Sequence, residues 1–439
     1  MEKLLEMNGK PCDCGRPHRF SAKVISGSGV LSQLPQAVKA LSGTKAYIFF
    51  DPNTYEAAGK QACRLLQEAG IEYVGYCLPW SNPEPDETSV GAAMMHFDYG
   101  CDIVIGVGSG VVNDIGKLLS AYTKLPYIIV ATAPSMDGYA SATSSMNRDG
   151  LKISLPSKAA DVIIGDSRVL SRAPLDMMRS GLGDMLAKYV SICEWRISHL
   201  INGEYYCEEV ASLIRHAVKR CVDNVQALLR RDEQAALAVF EGLVIGGVAM
   251  NYAGASRPAS GVEHYISHVL DMRGVEFGTP IASHGTQCAI GTLTAVELYE
   301  KLKTLIPNKE KALAYVKSFD YQAWAGQLRE FLGKGAEAMI SLEEKEKKYD
   351  PESHARRLEK IIGNWDGILS IIHQELPDMQ ELKKMMETAQ MPMKLCHIGL
   401  CDSQMSMILK ATKDIRDKYV WSRLAWDLGI LDEMTETAK

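Results

Sequence analysis

The chain has 439 residues, of which 46% are hydrophobic and 23% are charged, and its formal net charge is −6. This composition is typical of a soluble globular protein that is long enough for two domains. Its pI is near 6.0, which argues against nucleic acid as the main partner, because a phosphate backbone requires clustered Lys and Arg.

Neither a membrane span nor an export signal is predicted. The apolar runs stay shorter than the roughly 18 residues that cross a bilayer, and the N-terminal stretch MEKLLEMNGKPCDCG has no signal-peptide core. Apart from Cys12 and Cys14, the 11 cysteines are scattered singly, which is typical of reduced thiols. We therefore expect a cytoplasmic protein.

One cysteine cluster has two interpretations. Cys12, Cys14 and His18 lie close together in PCDCGRPH. These residue types bind zinc, but structural zinc sites use four ligands, and the sequence does not indicate the fourth. We interpret the segment as an N-terminal turn and keep a zinc site as the alternative.

Short apolar strands alternate with helical stretches up to about residue 170. Strands are predicted at residues 46–50, 71–78, 102–108, 127–132 and 160–166. Helices are predicted at residues 53–70, at 86–97 and from Val111 onward. This alternation predicts an α/β fold with a doubly wound parallel sheet.

The strand signal disappears after about residue 170, and later stretches such as LGDMLAKYVSICEWRISHL all have helical spacing. We therefore predict a dinucleotide-binding α/β domain over residues 1–168. An all-α domain that binds metal and substrate is predicted over residues 169–439. The active site is expected in the cleft between the two domains.

A glycine-rich turn follows the strand at 102–108, in DIVIGVGSGVVNDIGK. Gly106, Gly108 and Gly110 allow the backbone to turn tightly and to approach an anion at a helix N-terminus. The spacing is neither Gly-x-Gly-x-x-Gly nor the Walker loop. The order of strand, turn and helix nevertheless favours phosphate binding.

Further motifs follow in order between residues 102 and 285: GSGVVNDIGK, ATAPSMDGYAS, GDMLAKY, SRPASGVEHYISH and a final HG. Together they resemble the superfamily of iron-containing alcohol dehydrogenases and dehydroquinate synthases. Within it, SRPASG-x-EH and GD-x-x-AK look most like the sn-glycerol-1-phosphate dehydrogenases, in particular their longer bacterial form. The region after about residue 300 adds only generic helical character.

Asp184, His264 and His284 are the candidate metal ligands, and the resemblance implies the same three residues. One carboxylate and two imidazoles suit a catalytic divalent metal, for which zinc is expected first and nickel or iron remain open. Taken singly, these residues could be a helix cap, a core histidine and a loop residue. His268 lies one helical turn beyond His264, and the resemblance implies that it contacts substrate and relays a proton.

The resemblance also implies a nicotinamide cofactor, NAD(H) or NADP(H). Its pyrophosphate contacts are implied at Gly110, Val111, Val112, Asn113 and Asp114. The next cofactor loop is implied at Thr132, Ala133, Pro134 and Ser135, and a nicotinamide contact at Ser141. Asp51 ends a predicted strand, where a carboxylate would favour NADH over NADPH, and its alternative role is a helix cap.

The resemblance implies reduction of dihydroxyacetone phosphate to sn-glycerol 1-phosphate, a step of phospholipid biosynthesis. Asp137 is implied as a substrate contact, although Asp-Gly is also a common turn. Arg257 is the candidate for the phosphate, because a guanidinium matches phosphate geometry. Lys188 is a second candidate, and an ion pair with Asp184 is its alternative role.

Two other activities remain open on the same scaffold. A glycerol or polyol dehydrogenase would not need Arg257. A dehydroquinate synthase-like cyclase, which is a lyase, would require more Lys and Arg near the motifs, and a binding paralogue without catalysis is disfavoured because no ligand position is lost. The expected partner is a phosphorylated small molecule, and we expect a homo-oligomer, a dimer or larger.

Overall fold

The computed structural model describes residues 7–149 and 151–436, so the first six residues of the stretch considered as a signal peptide lie outside it. The chain divides into two compact units. The first comprises residues up to Met185 together with Ser212–Ala255, and the second comprises Leu186–Ala211 together with the residues from Ser256 onward.

Parallel strands form the centre of the first unit. The strands are β1 (Lys23–Gly27), β2 (Lys45–Phe50), β3 (Glu72–Cys77), β4 (Ile103–Gly108), β5 (Tyr127–Ala131), β6 (Thr143–Arg148), β7 (Leu151–Pro156) and β8 (Val162–Asp166). Among the described residues, six of them form one sheet in the order β1-β8-β5-β4-β2-β3. Every neighbouring pair in this sheet is parallel, which confirms the predicted sheet.

The strands that the sequence predicted are those with long apolar runs. All residues of β4, β5 and β8 are buried, because helices cover both faces of a parallel sheet. The sequence analysis missed β1, an edge strand that is largely exposed or half-buried. It also missed the antiparallel hairpin β6–β7, whose strands are rich in polar residues.

The helices up to residue 170 alternate with the strands of the sheet. They are α1 (Leu34–Ala40), α2 (Pro52–Thr54), α3 (Lys60–Glu68), α4 (Glu87–Met95), α5 (Gly110–Thr123) and α6 (Ser167–Leu170). A π-helical turn at Tyr55–Gly59 joins α2 to α3. The boundary between the units falls inside the next helix, α7 (Leu175–Asn202).

The remaining described elements are helical, which confirms the predicted all-α part. They are α8 (Glu208–Asp223), α9 (Val225–Leu229), α10 (Glu233–Ala253), α11 (Val262–Phe277), α12 (His284–Leu302), α13 (Lys309–Lys317), α14 (Tyr321–Leu332), α15 (Ala336–Glu346), α16 (Pro351–Gly363), α17 (Trp365–Glu375), α18 (Met379–Thr388), α19 (Met405–Thr412), α20 (Trp421–Asp427) and α21 (Leu431–Glu436). Short 3₁₀ turns lie between some of them.

Helix α10 belongs to the first unit and packs on its sheet. A Cβ added at Gly165 of β8 would lie 2.1 Å from the ring of Phe240, so the helix and strand approach closely only because residue 165 is glycine. By length and composition α10 could cross a membrane, but 83% of its apolar window is buried inside the protein. This packing explains why the first unit includes residues 212–255, a division that differs from the one predicted at residue 168.

Candidate active site

The turn between β4 and α5 has the features of an anion site in the first unit. A Cβ at Gly108 would lie 2.5 Å from the side chain of Val112, so this tight turn requires glycine. Ser109 is the N-cap residue of α5, but its side chain does not cap the helix. The first-turn N–H groups can therefore serve another acceptor, and the pyrophosphate of a dinucleotide fits this position.

The two buried side chains Asn113 and Lys117 hold the neighbouring loop. Asn113 Nδ2 donates to the carbonyl of Gly138 at 3.0 Å. Lys117 Nζ donates to the same carbonyl and to Ser141 Oγ, each at 3.2 Å, and it pairs with Asp114 at 2.8 Å. Asn113 was predicted as a cofactor contact, and the structure gives it a positioning role. The sequence analysis did not predict the positioning role of Lys117.

Helix α7 lies directly against the second predicted cofactor loop. A Cβ at Gly181 would lie 1.8 Å from the carbonyl oxygen of Pro134, and Ser180 Oγ donates to the carbonyl of Ser135 at 3.1 Å. The N–H of Thr132 donates to the carbonyl of Gly108 at 3.1 Å. These contacts join the glycine turn, the loop and α7 within the first unit.

Asp184 is fully buried on α7. Its Oδ2 accepts a hydrogen bond from the backbone N–H of Asp137 at 2.9 Å. Two residues that lie 47 positions apart in the chain, a predicted metal ligand and a predicted substrate contact, are thus adjacent. The Asp-Gly turn that was the alternative for Asp137 is present as a 3₁₀ turn, Asp137–Ala140, so the turn presents this residue beside Asp184.

Asp51, the predicted ribose contact, is the N-cap of α2. Its Oδ1 accepts hydrogen bonds from the N–H groups of Asn53 and Thr54 at 2.8 and 2.9 Å. Burial raises the pKa of Asp51, although the bonds from Thr54 and Asn53 oppose this effect. The capping role is therefore present at the carboxyl end of β2, where a dinucleotide ribose is expected in such sheets.

The second unit brings His264 and His284 together. Their rings lie 5.0 Å apart at 66°, one on the first turn of α11 and the other at the start of α12. His264 Nδ1 is 2.8 Å from Glu263 Oε1, so the ring donates its Nδ1 proton to that carboxylate. The Nε2 atom of His264 therefore has the lone pair that a metal needs.

The hydroxyl group of Ser267 sets the tautomer of His284. Ser267 Oγ donates to Gln287 Oε1 at 2.6 Å, and it lies 3.1 Å from His284 Nδ1. Because its proton is already donated, the hydroxyl accepts from the ring, and Nε2 of His284 has the lone pair. Two imidazoles with oriented Nε2 atoms are a donor set that fits a divalent metal.

Cys288 is a neighbour of this pair that the sequence analysis missed. Ligand atoms of Cys288, His264 and His284 all lie within 4.8 Å of one another. Burial acts to raise the pKa of the Cys288 thiol, but the two histidines outweigh it and the pKa is lowered. The only signal in the sequence is the spacing of four residues from His284, which places both on one helix face.

Two buried carboxylates hold the N-terminus of α11. Glu263 Oε1 accepts the N–H of Gly261 at 2.7 Å, and Glu194 Oε2 accepts the N–H of Val262 at 2.9 Å. Burial raises the pKa of Glu194 to about 8, and the charge of Glu263 adds to this shift. The other oxygen of Glu263 is buried without a hydrogen-bond partner, which marks the polar site beside His264.

Arg257 has partners that the sequence could not indicate. It is 2% exposed. Its guanidinium donates to Glu204 at 2.6 and 2.8 Å, to Ser198 Oγ at 3.2 Å and to the carbonyl of Tyr419 at 2.9 Å. With these bonds the guanidinium supports its loop in this structure, and its predicted contact with a phosphate remains to be tested.

Lys188 and Lys418 hold the same loop. Lys188 Nζ donates to the carbonyl of Ala259 at 3.1 Å, and Lys418 Nζ donates to that of Ser260 at 2.9 Å. Burial, together with the nearby positive charge of Arg257, lowers the pKa of Lys418 to about 7.

His268 is half-buried on α11, one turn from His264 as predicted.

The parallel six-stranded sheet followed by an all-α part is the fold of the iron-containing alcohol dehydrogenases. The model of the family "Iron-containing alcohol dehydrogenase" matches residues 25–174. Among solved structures, the NADH-dependent butanol dehydrogenase A of Thermotoga maritima has the same fold. Its TM-score is 0.60 at 16% identity, over 98% of this chain and 99% of that one.

Curated relatives show to which group of enzymes within this fold the chain belongs. The chain is 31% identical over 297 residues to "Glycerol-1-phosphate dehydrogenase [NAD(P)+]" of Bacillus licheniformis, covering 66% of this chain and 74% of the relative. It is 26% identical over 412 residues to the protein of the same name from Halalkalibacterium halodurans, covering 93% of each. The chain therefore belongs to the glycerol-1-phosphate dehydrogenase family, which confirms the resemblance.

The contact between Glu263 and His264 predicts a variant with weakened metal binding. Glu263→Gln keeps the size of the side chain but removes the charge that orients the imidazole. We expect the affinity for a divalent metal to fall about 10- to 100-fold, measured as the metal concentration that restores half of the activity after chelation. Glu297→Gln, an exposed position on α12, is the matched control, and equal affinities in both variants would remove this role for Glu263.

Proposed function

We propose that this protein reduces dihydroxyacetone phosphate to sn-glycerol 1-phosphate with NADH or NADPH. The observation that carries the proposal is the pair of imidazoles, each with its Nδ1 proton committed to a neighbour, in a chain of this family. The curated relatives support it, since their names give the activity and the cofactor class.

We propose Asp184, His264 and His284 as the ligands of one divalent metal, with zinc ahead of nickel or iron. When bound, the metal supplies polarisation of a carbonyl, and the nicotinamide supplies the hydride. Glu263 and Ser267 accept the two Nδ1 protons, so that the Nε2 lone pairs of the neutral imidazoles face the metal position. The donor set of nitrogen and carboxylate oxygen suits all three metals.

The chain's other residues bind and orient the reactants. The N-terminus of α5 is proposed to hold the pyrophosphate through the backbone N–H groups of Gly110, Val111 and Val112. Ser141 is proposed at the nicotinamide and Asp137 at the substrate. His268 is proposed to exchange a proton with the substrate oxygen, because an imidazole can both donate and accept a proton.

A cofactor-oxidation assay with dihydroxyacetone phosphate, and with unphosphorylated dihydroxyacetone for comparison, tests the proposed function. The protein should oxidise NADH or NADPH in the presence of dihydroxyacetone phosphate, and a chelator should abolish the reaction until one divalent metal is returned. The product should be inert to an enzyme specific for sn-glycerol 3-phosphate, because the proposed product is its mirror image.

Unphosphorylated dihydroxyacetone is the comparison substrate. The cations near His264 already donate to carbonyls and to Glu204, an observation that favours a plain glycerol or polyol dehydrogenase as the second candidate. A higher kcat/KM for dihydroxyacetone or glycerol would select that candidate. Full activity in a metal-free sample would reject the proposed metal site.

The position of Asp51 predicts a cofactor preference. Asp51→Ser should raise the use of NADPH relative to NADH, because the carboxylate that repels a ribose phosphate is lost while serine still caps α2. A shift of roughly tenfold in the ratio of kcat/KM corresponds to about 1.4 kcal/mol. Asp86→Ser removes another N-cap aspartate, which accepts the N–H of Ser89 at 2.8 Å, and it should leave the ratio unchanged. A wild type that already prefers NADPH would contradict this placement of Asp51.

The hydrogen-bond partners of Arg257 predict how its replacement changes the activity with each of the two substrates. Arg257→Ala should lower activity with dihydroxyacetone phosphate and with dihydroxyacetone by the same factor, because it removes a buried support of the loop before His264. The unfolding free energy should fall by on the order of 3 kcal/mol, less to the extent that Glu204 reaches water. Arg329→Ala, which breaks an exposed pair with Glu337, is the control. A loss confined to the phosphorylated substrate would instead assign Arg257 to the phosphate.

A further inference from the structure

The segment after Met7 brings three metal-binding side chains together within the first unit. The ligand atoms of Cys12, Cys14 and His18 all lie within 4.8 Å of one another. The N–H of Gly15 donates to the carbonyl of Cys12 at 2.9 Å, so both thiols project from one tight turn. This cluster is separate from the residues proposed for the reaction.

His18 is oriented as a metal-binding histidine. Its side chain is 1% exposed, and its Nδ1 lies 3.3 Å from the carbonyl oxygen of Tyr252. Because a carbonyl only accepts hydrogen bonds, Nδ1 carries the proton and Nε2 has the lone pair. Nε2 is the atom that faces Cys14. Metal-bound histidines commonly donate the other ring N–H to a backbone carbonyl in this way.

The separation of the donor atoms matches zinc. In tetrahedral sites zinc lies about 2.3 Å from sulfur and about 2.0–2.1 Å from nitrogen, which places the two donors roughly 3.5 Å apart. Cys14 Sγ and His18 Nε2 are 3.5 Å apart. Two thiolates and one imidazole are also the soft and borderline donors that zinc prefers over magnesium or calcium.

We propose that Cys12, Cys14 and His18 bind a structural zinc ion. The two thiolates neutralise the charge of the ion, and His18 connects it to the C-terminal end of α10 through Tyr252. A fourth ligand, a water molecule or a further thiolate, completes the tetrahedron. The sequence analysis kept this site only as an alternative, because the sequence does not indicate a fourth ligand.

The ion adds to the hydrogen bonds that attach this segment. Asn8 and Phe20 exchange two hydrogen bonds of 2.9 Å, and Arg16 donates to the carbonyl of Ala253 at 3.4 Å. This region makes turns without a long helix or strand. Zinc binding energy therefore becomes folding energy of the segment, as in small zinc-dependent motifs.

Alkylation of the native protein tests the site without a mutation. Cys12 and Cys14 should react with iodoacetamide at least about tenfold faster after treatment with a strong zinc chelator, because a metal-bound thiolate must first dissociate. Peptide mass spectrometry reads each cysteine separately. Cys396 and Cys401 are exposed and should react at the same rate with and without chelator. Any further cysteine with chelator-dependent protection is the fourth ligand.

Metal content gives the second measurement. Cys12→Ser combined with Cys14→Ser should lose one zinc per chain relative to the wild type, whereas Cys396→Ser combined with Cys401→Ser should lose none. If the first variant does not fold, the alkylation rates of the wild type decide. Unchanged alkylation of Cys12 and Cys14 after chelation, or wild-type zinc content in the folded double variant, would overturn the proposal.

Discussion

The start of helix α11 concentrates buried charge, and the position of His264 depends on how these charges are satisfied. Glu194 and Glu263 approach the same stretch of backbone, where they accept the N–H groups of Val262 and Gly261. A Cβ at Gly261 would lie 2.5 Å from the Glu194 carboxylate, so this convergence requires glycine. Burial raises the pKa of Glu194 to about 8, and the charge of the neighbouring Glu263 carboxylate adds to this shift.

Three cationic side chains form hydrogen bonds at the loop that precedes α11. Lys188 and Lys418 donate to backbone carbonyls of the loop that precedes α11. Arg257, which lies in this loop, donates to the carbonyl of Tyr419. A buried cation without partners would be strongly unfavourable, and carbonyl groups of a loop would otherwise lose their hydrogen bonds to water. The cations and the carbonyl groups therefore satisfy each other's need for hydrogen-bond partners. The loop gains a single conformation, and the imidazole of His264 is presented in one orientation.

The first unit holds the turn at Asp137–Ala140 in the same way. Lys117 is fully buried, pairs with Asp114 and donates to the carbonyl of Gly138, and Asn113 donates to the same carbonyl. Asp184 accepts the N–H of Asp137. Short loops with reactive side chains are thus held by polar groups from neighbouring helices, while the sheet below them supplies the rigid apolar support.

The sequence by itself determined the class of fold and the family, and it supplied the residues that we propose for the reaction. Strands β2, β4, β5 and β8 were predictable because a strand covered on both faces must be apolar along its length. The motifs around Asp184, His264 and His284 were sufficient for the family, since metal and nucleotide chemistry limits the residue types that can occupy them. The edge strand β1 was not predictable, because its partly exposed residues lack such a pattern.

The tertiary structure alone decided which side chains act on one another. Residues 212–255 belong to the unit of the sheet, and the ring of Phe240 packs against Gly165, a contact that helical periodicity cannot reveal. Glu263 orients His264, Cys288 lies beside both histidines, and Arg257 pairs with Glu204. Hydrogen bonds and charges act over a few ångströms in space, whereas the partners of Arg257 and of His18 lie tens to hundreds of residues away in the chain.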